Sequence, residues 1–276
     1  MRCTPECSPS SAHGTRDLRA VEAHRSHPEG DRLASPVPVG HPCERRVIAM
    51  VRAIPKLRVR AVNPAALNPD GTHVLHWMIA HRRTRHNFAL QHALFHAERL
   101  QKPLVVLEPL RVGYRWASDR MHRFVLEGMA VNARRFAKAG VTYLPYVEDR
   151  PGAGSGLLAA LAQDACLVTT DDYPCFFLPR MIASAGRQLP VRLEAVDANG
   201  VIPLQATDHA FPTAHSFRRW FQRNAAEQLS PGGRPLVNPL ARWTARRPSA
   251  ALKRTLRELR ERWPMAAKLD DEASLD

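Results

Sequence analysis

The chain has 276 residues, of which 45% are hydrophobic, so it can bury a full core in one or two domains. Its formal net charge of +14 favours an anionic partner, most simply nucleic acid. The alternative is a genome-wide preference for arginine that raises the isoelectric point without any function. The five cysteines lack metal-site spacing, and no secretory leader or apolar run of about 20 residues is recognisable. We therefore expect a cytoplasmic protein with reduced thiols and no membrane span.

The first 46 residues are rich in Ser, Pro, His and Gly and show almost no aliphatic periodicity. Such a composition cannot offset its own ordering entropy, so residues 1–46 are predicted to be disordered. This extension is either a functional tail or the result of a start codon assigned too early, because Met50 precedes the first regular segment.

From residue 71 onward, short apolar strands alternate with amphipathic helices. This alternation predicts an α/β fold over residues 50–204, a Rossmann-like open five-stranded parallel sheet with helices on both faces. The predicted strands are His73–Ile79, Leu104–Leu107, Val141–Tyr146, Cys166–Thr170 and Val191–Val196. The predicted helices are Asn87–Leu100, Asp119–Ala139, Leu157–Gln163 and Leu178–Ala185.

Residues 205–276 change to a basic pattern of helix and coil, predicted to be a helical linker or tail. In a helix over His215–Leu229, Phe217 and Phe221 are expected to point inward. The outward residues are predicted to contact DNA phosphates or a partner, and a solvated amphipathic helix is the alternative; they are Arg218, Arg219 and Arg223. A last helix, capped by Ser249, carries an apolar stripe that ends at Trp263.

Three loops are expected at the carboxyl edge of the sheet, where open parallel sheets bind ligands. They span residues 80–86, 108–118 and 170–177 and offer cations, carboxylates and aromatic rings. This mixture favours a planar, partly anionic chromophore or a nucleotide. Each element also has a plainer interpretation. Arg82, Arg83 and Arg85 could form a solvated basic turn, and Asp171 and Asp172 could cap the next helix. Phe176, Phe177 and Trp77 could pack in the core.

Several other chemistries are not expected. Asp171 and Asp172 point apart as neighbours, so they do not form an acid–base pair. His92 and His96 have helical spacing but lack a recognisable third ligand, so no metal site is predicted. The glycine-rich run over residues 152–156 lacks a Lys-Ser/Thr ending and is read as a flexible turn rather than a phosphate loop. No catalytic residue is assigned.

Four stretches, in order, resemble the N-terminal α/β domain of the photolyase/cryptochrome family, with a class II character. The similarity covers roughly residues 54–204. In the first stretch Trp77, Arg83, Asn87, Ala89 and Leu90 fall in the family's register. The stretches are Trp77–Leu90, Phe124–Met129, Val168–Asp171 and Ala195–Pro203. The chain departs from the family pattern where acidic residues of the first loop are replaced by His81 and His86.

The resemblance implies an antenna chromophore, a deazaflavin or a folate, held by Arg83, Asn87, Asp171 and Phe176. A complete enzyme of this family is a carbon–carbon lyase that repairs pyrimidine dimers in DNA with light and FAD. The region after residue 204 is too short for the helical FAD-binding domain, so we expect no FAD and no repair by this chain alone. The chain is expected to be either a truncated gene product or one half of a split enzyme. In the second case a separately encoded FAD-binding domain, and damaged DNA through it, are the expected partners. A nucleotide-binding or regulatory α/β module without photochemistry is the alternative.

Overall fold

The structure, a computed structural model, describes residues 50–266 and residue 269. The predicted disorder of residues 1–46 therefore concerns residues outside the described part. A six-stranded sheet lies at the centre, with strand order β1-β6-β5-β2-β3-β4. The strands are β1 (Val59–Ala61), β2 (His73–Trp77), β3 (Leu104–Leu110), β4 (Thr142–Val147), β5 (Ala165–Asp171) and β6 (Leu193–Val196).

Helices cover both faces of this sheet. The helices of the described residues are α1 (Phe88–Leu100), α2 (Asp119–Lys138), α3 (Leu157–Ala162), α4 (Leu178–Gln188), α5 (Ala214–Leu229) and α6 (Ala250–Arg262), of which α5 lies largely in solvent. Three short 3-10 helices span Lys56–Arg58, Leu204–Ala206 and Pro239–Arg242. The predicted α/β class and all five predicted parallel strands are confirmed.

The sixth strand is a correction to the predicted five. The strand β1 pairs antiparallel with β6, and it was missed because three half-exposed residues show no readable period. The preceding Arg58 is fully buried, and its guanidinium donates to the carbonyls of Gly200 and Val201 at 3.0 and 2.6 Å. The guanidinium also stacks over the ring of Phe88 at 4.2 Å. These contacts tie the segment before the sheet to the segment after it.

Side chains alternate between two apolar layers along the strands. In β2, Leu75 and Trp77 face the layer that includes α3 and α4, whereas Val74, and Met78 just after the strand, face α1 and α2. The chain runs from β2 to β3 and β4, and then crosses back to β5 and β6. The strand order therefore reverses between β2 and β5, and the carboxyl edge there is the expected place for a site.

The helices after residue 204 pack partly on the α/β core and leave one surface uncovered. Leu252, Leu256 and Trp263 of the α6 segment are buried with α3 in the same apolar layer. The indole nitrogen of Trp263 donates to the carbonyl of Ala153 at 3.2 Å. In α5, by contrast, the predicted inward position of Phe217 is wrong, because this side chain is 46% exposed. Within the described residues, every helix is too short or too polar to cross a bilayer.

Candidate functional site

The buried carboxylate of Asp171 organises the loop that follows β2. Its Oδ2 accepts hydrogen bonds from the backbone nitrogens of Ile79, Ala80 and His81 at 2.9, 2.8 and 3.1 Å. Successive N–H groups that converge in this way form a concavity suited to an anion. Here the chain's own carboxylate fills it, whereas Oδ1 has no hydrogen-bond partner among the described residues.

The interpretation of Asp171 and Asp172 as helix caps is wrong. Helix α4 begins only at Leu178, so the two residues lie too far upstream to cap it. Asp172 instead forms a two-point ion pair with Arg60 of β1, at 2.9 and 3.1 Å. The predicted divergence of the two carboxylates is confirmed, since one is buried beneath the loop and the other faces the sheet edge.

Asn87 closes the same loop from its far end. As the N-cap of α1, its Oδ1 accepts from the nitrogen of Leu90 at 3.1 Å. Its Nδ2 donates to the carbonyls of His81 and Arg83, both at 2.9 Å. The side chain is buried and its amide is fully engaged. Arg83 itself is exposed and bonds only within the loop, to the carbonyl of His86 and the ring of His81.

A second buried carboxylate, Glu108 of β3, anchors the arginine side of this loop. Its Oε1 lies 3.3 Å from Nη1 of Arg82, and its Oε2 accepts from the hydroxyl of Tyr143 at 2.7 Å. Burial, together with the charge and hydrogen bond of Glu108, raises the pKa of Tyr143 well above its usual range. The interpretation of residues 82–85 as a solvated basic turn is therefore wrong for Arg82, because its guanidinium pairs with the buried carboxylate of Glu108.

A cleft of about 310 Å³ opens beside this loop, at the carboxyl ends of β2, β3 and β4. Its walls come from the sheet, the turn after β4, α3 and α4, and its volume is at the lower end of the range for small-molecule sites. The lining residues are Trp77, Leu107, Pro109, Leu110, Arg111, Tyr146, Glu148, Gly152, Gly154, Ser155, Leu157, Leu158 and Met181. The lining is mostly apolar and carries one cation, Arg111, and one carboxylate, Glu148, whose Oε1 is bonded to the following turn. A flat molecule that carries negative charge at the Arg111 end fits this arrangement.

The glycine-rich turn forms part of the cleft wall. The Oε1 of Glu148 accepts from the nitrogens of Gly152 and Gly154 at 3.1 and 3.4 Å, so these donors are already used. The occupied donors argue against a phosphate loop, and the predicted flexibility of the turn stays a prediction. A Cβ on Gly154 would lie 2.8 Å from Cε1 of Tyr146, so only glycine fits there without moving that ring. The close approach of turn and ring shapes the cleft.

Aromatic side chains lie at the rim of the cleft. Phe176 is 68% exposed, adopts a φ of +59° and meets the ring of Trp116 at 5.9 Å. Phe177 is 38% exposed, and the guanidinium of Arg111 lies 5.6 Å from its ring. The interpretation of Phe176 and Phe177 as core residues is wrong, because the loop after β5 carries both rings outward. Arg111 links this rim to the cleft.

The four residues predicted to bind a cofactor occupy two different places. Asp171 and Asn87 shape the loop after β2, Arg83 lies on its surface, and Phe176 stands at the aromatic rim. Within the described chain, none of the four lines the cleft, and their cofactor contacts stay a prediction. Sequence reasoning missed the cleft itself. The strand-end aromatics were the available signal, since Trp77 and Tyr146 each close a buried strand and line the cleft.

His92 and His96 were expected to lack a third potential ligand, and this expectation is wrong because Glu194 lies beside both. Strand β6 places Glu194 against α1, and its Oε2 lies 2.7 Å from Nε2 of His92 and 3.6 Å from Nε2 of His96. The two imidazole nitrogens are 3.2 Å apart. Burial, followed by the charge of His92, lowers the pKa of His96 to about 4. The partner was missed because it lies 102 residues from His92 in the sequence.

Helix α5 presents the predicted contact arginines to solvent. Arg218, Arg219 and Arg223 are all exposed. An aromatic cluster lies beside them, in which the ring of Phe217 is 5.4 Å from that of Phe211 and 6.1 Å from that of Trp220. Cations beside exposed aromatic rings are typical of surfaces that bind nucleic acid or protein, and the predicted contact remains untested.

Comparison with known proteins gives one informative similarity. No family model matches the chain. Over 175 residues, or 63% of the chain, it is 26% identical to a deoxyribodipyrimidine photo-lyase of Methanothermobacter thermautotrophicus. The matched stretch spans 38% of that relative's length. With the α/β fold and the cleft at its carboxyl edge, this similarity supports a photolyase-like domain.

Proposed function

We propose that this chain is the light-harvesting α/β domain of a class II-like deoxyribodipyrimidine photolyase, acting in the light-driven repair of cyclobutane pyrimidine dimers in DNA. The observation that carries the proposal is the cleft at the carboxyl edge of β2, β3 and β4, in a chain similar to a photolyase. Residues matched to the relative cover 38% of its length, so repair by the whole protein is part of the proposal.

The chromophore proposed for the cleft is a deazaflavin or a folate. Trp77, Tyr146 and Met181 would border its ring system, and Arg111 would balance its negative charge. When bound, such a chromophore absorbs near-ultraviolet or blue light and passes the excitation to a flavin. The protein's part would be to hold the ring in place, and the packed strand ends and the hydrogen-bonded glycine-rich turn support this role.

Repair is proposed to need an FAD-binding helical domain that acts with this one. The exposed arginines and aromatic rings of α5 support a contact with that partner or with DNA. We assign FAD to the partner rather than to the cleft, because a volume of about 310 Å³ is small for a dinucleotide.

A nucleotide-binding module is the less favoured function. Phosphates in Rossmann-like sheets bind the backbone nitrogens at the strand-order reversal. In this chain those of Ile79, Ala80 and His81 are already bound to Asp171. A phosphate would have to displace a buried carboxylate, which argues against this function.

The test is an absorption spectrum of the purified chain between 300 and 500 nm, after incubation with a deazaflavin, a folate, FAD or ATP and removal of free ligand. We expect a band from the deazaflavin or the folate and none from FAD. ATP does not absorb in this range, so retained ATP is measured separately, by chromatography of the nucleotide released when the protein is denatured. ATP retained in the absence of a coloured ligand would favour the nucleotide-binding function. Retained FAD would contradict the assignment of the flavin to a partner.

A further inference from the structure

A three-residue cluster between α1 and β6 is separate from the cleft. His92 and His96 lie one helical turn apart on α1, and their rings meet edge to face with centroids 4.5 Å apart. Both Nε2 atoms and the Oε2 of Glu194 lie within 4.8 Å of one another. Glu194 lies on the face of the sheet that α1 covers, so the cluster joins a helix to the strand beneath it.

The spacing of these three atoms fits a shared metal ion. Ligands bound at about 2.0–2.1 Å in tetrahedral geometry lie about 3.3 Å from one another. The measured separations are 2.7 Å between His92 and Glu194, 3.2 Å between the two histidines and 3.6 Å between His96 and Glu194. Shifts of a few tenths of an ångström in the side chains would therefore form the site.

Hydrogen bonds within the triangle do not engage all three atoms at once. Each Nε2 carries either one proton or one lone pair. A proton on His92 can point straight at Glu194 or at His96, but not at both. A proton placed on His96 instead leaves a lone pair of His92 facing a carboxylate oxygen at 2.7 Å. An ion at the centre accepts a lone pair from all three atoms at once.

The surroundings hold the carboxylate in place and leave one side of the cluster open. The Oε1 of Glu194 accepts from Nε of Arg192 at 2.7 Å, which fixes the carboxylate and leaves Oε2 for the ion. The side chains of His92 and Glu194 are 9% and 10% exposed, whereas that of His96 is 16% exposed. The site is thus enclosed on the sheet side and reachable from solvent beside His96, where water can supply the fourth ligand.

We propose that His92, His96 and Glu194 form a binding site for a divalent first-row transition ion of the zinc type. Two imidazoles and one carboxylate are a donor set that such ions bind well. The ion would tie α1 to β6 and keep one coordination position open to solvent. This site does not depend on the chromophore proposed for the cleft.

The test is calorimetric titration of Zn²⁺ into the metal-free full-length chain and its variants. We expect one zinc-binding site of the unaltered chain to be weakened at least about tenfold in His96→Ala and in Glu194→Gln. The matched control is His215→Ala, an exposed histidine on α5, which should bind zinc as the unaltered chain does. Residues 1–49 hold four further histidines, and sites that involve them are common to all variants and cancel in the comparison.

A second measurement guards against variants that fold poorly. The unaltered chain loaded with Co²⁺ should show the intense visible bands of a four-coordinate ion, and addition of Zn²⁺ should abolish them. Bands that persist in a folded His96→Ala chain would overturn the proposal. Equal zinc affinity and stoichiometry in the unaltered and His96→Ala chains would overturn it as well.

Discussion

Asp171 and Ala80 are joined by a 2.8 Å hydrogen bond between a carboxylate oxygen and a backbone nitrogen, across the point where the strand order reverses. The bond connects the last residue of β5 with the loop after β2, 91 residues away in the sequence. The loop is therefore shaped by a side chain of the neighbouring strand. The backbone nitrogens that bind an anionic ligand in other Rossmann-like sheets are bound here by the carboxylate of Asp171.

Replacing Asp171 should reveal this role. Asp171→Ala leaves three buried N–H groups without an acceptor, so we expect a loss of about 3 kcal/mol or more in the free energy of unfolding. Asp171→Asn keeps one acceptor oxygen and should cost less. Asp172→Asn is the matched control, since its half-exposed pair with Arg60 should contribute within about 1 kcal/mol. Denaturant unfolding measures all three, and equal effects at the two positions would contradict the assignment.

Filling the cleft should abolish chromophore retention. Met181→Trp adds bulk to a residue that lines the cleft, so we expect the deazaflavin or folate band to fall at least tenfold, on the order of 1.4 kcal/mol. Arg180→Trp adds the same bulk to an exposed neighbour outside the cleft and should retain the band. The measurement is absorbance after gel filtration. Unchanged retention in Met181→Trp would place the chromophore elsewhere.

Acid should destabilise the fold through two buried histidines. Burial lowers the pKa of His73 and of His76 from 6.5 to about 4, so both stay neutral when folded. Below pH 6.5 the unfolded chain takes up protons that the folded chain does not, and stability falls as the pH falls towards 4. Above pH 6.5 the two states hold equal numbers of protons at these sites, and the effect vanishes.

The substitution His76→Gln isolates one of these contributions. At pH 5 each histidine should cost about 2 kcal/mol relative to pH 8. His76→Gln should therefore reduce the difference in unfolding free energy between the two pH values by about that amount. His215→Gln, at an exposed position, should leave the difference unchanged. An identical pH dependence in the unaltered and His76→Gln chains would refute the burial argument.

The arginines on α5 should contribute more to DNA binding than an equal number of basic residues elsewhere on the chain. Each arginine that contacts a phosphate should reduce the salt dependence of binding by about one unit of log–log slope when it is replaced by glutamine. The test set is Arg218, Arg219 and Arg223, and the control set of equal charge on α6 is Lys253, Arg254 and Arg257. Fluorescence anisotropy over a salt series measures the slopes. Equal losses in both sets would mean that only the overall charge matters.

The fold was predictable because it depends on local patterns. Buried strands such as β2 and β5 read as short apolar runs, and Asn87 marks the start of α1 by its capping chemistry. The strand β1 was not predictable, since its three residues are stabilised by pairing with β6 rather than by any period of their own. Local signals predict elements, and tertiary pairing adds the rest.

The candidate sites were harder to predict because their contacts are long-range. The link between Asp171 and the loop after β2, and that between Glu194 and His92, join residues 91 and 102 positions apart. Phe176 was misread because an aromatic pair after a strand normally packs inward, whereas a positive φ at this residue turns it out. The loops were located to within a few residues, since β3 extends to Leu110 and β5 to Asp171, and the side chains that shape the cleft were missed.

The hydrogen bond between Trp263 and Ala153 has a consequence for how the protein can be divided. The last helix covers α3, which in turn forms a wall of the cleft, so a chain shortened at residue 204 would expose the apolar residues Leu157 and Leu161. The smallest independently folding version should therefore extend through Trp263. A fusion of another domain at this end should place its junction beyond that residue, so that the core of this chain stays intact.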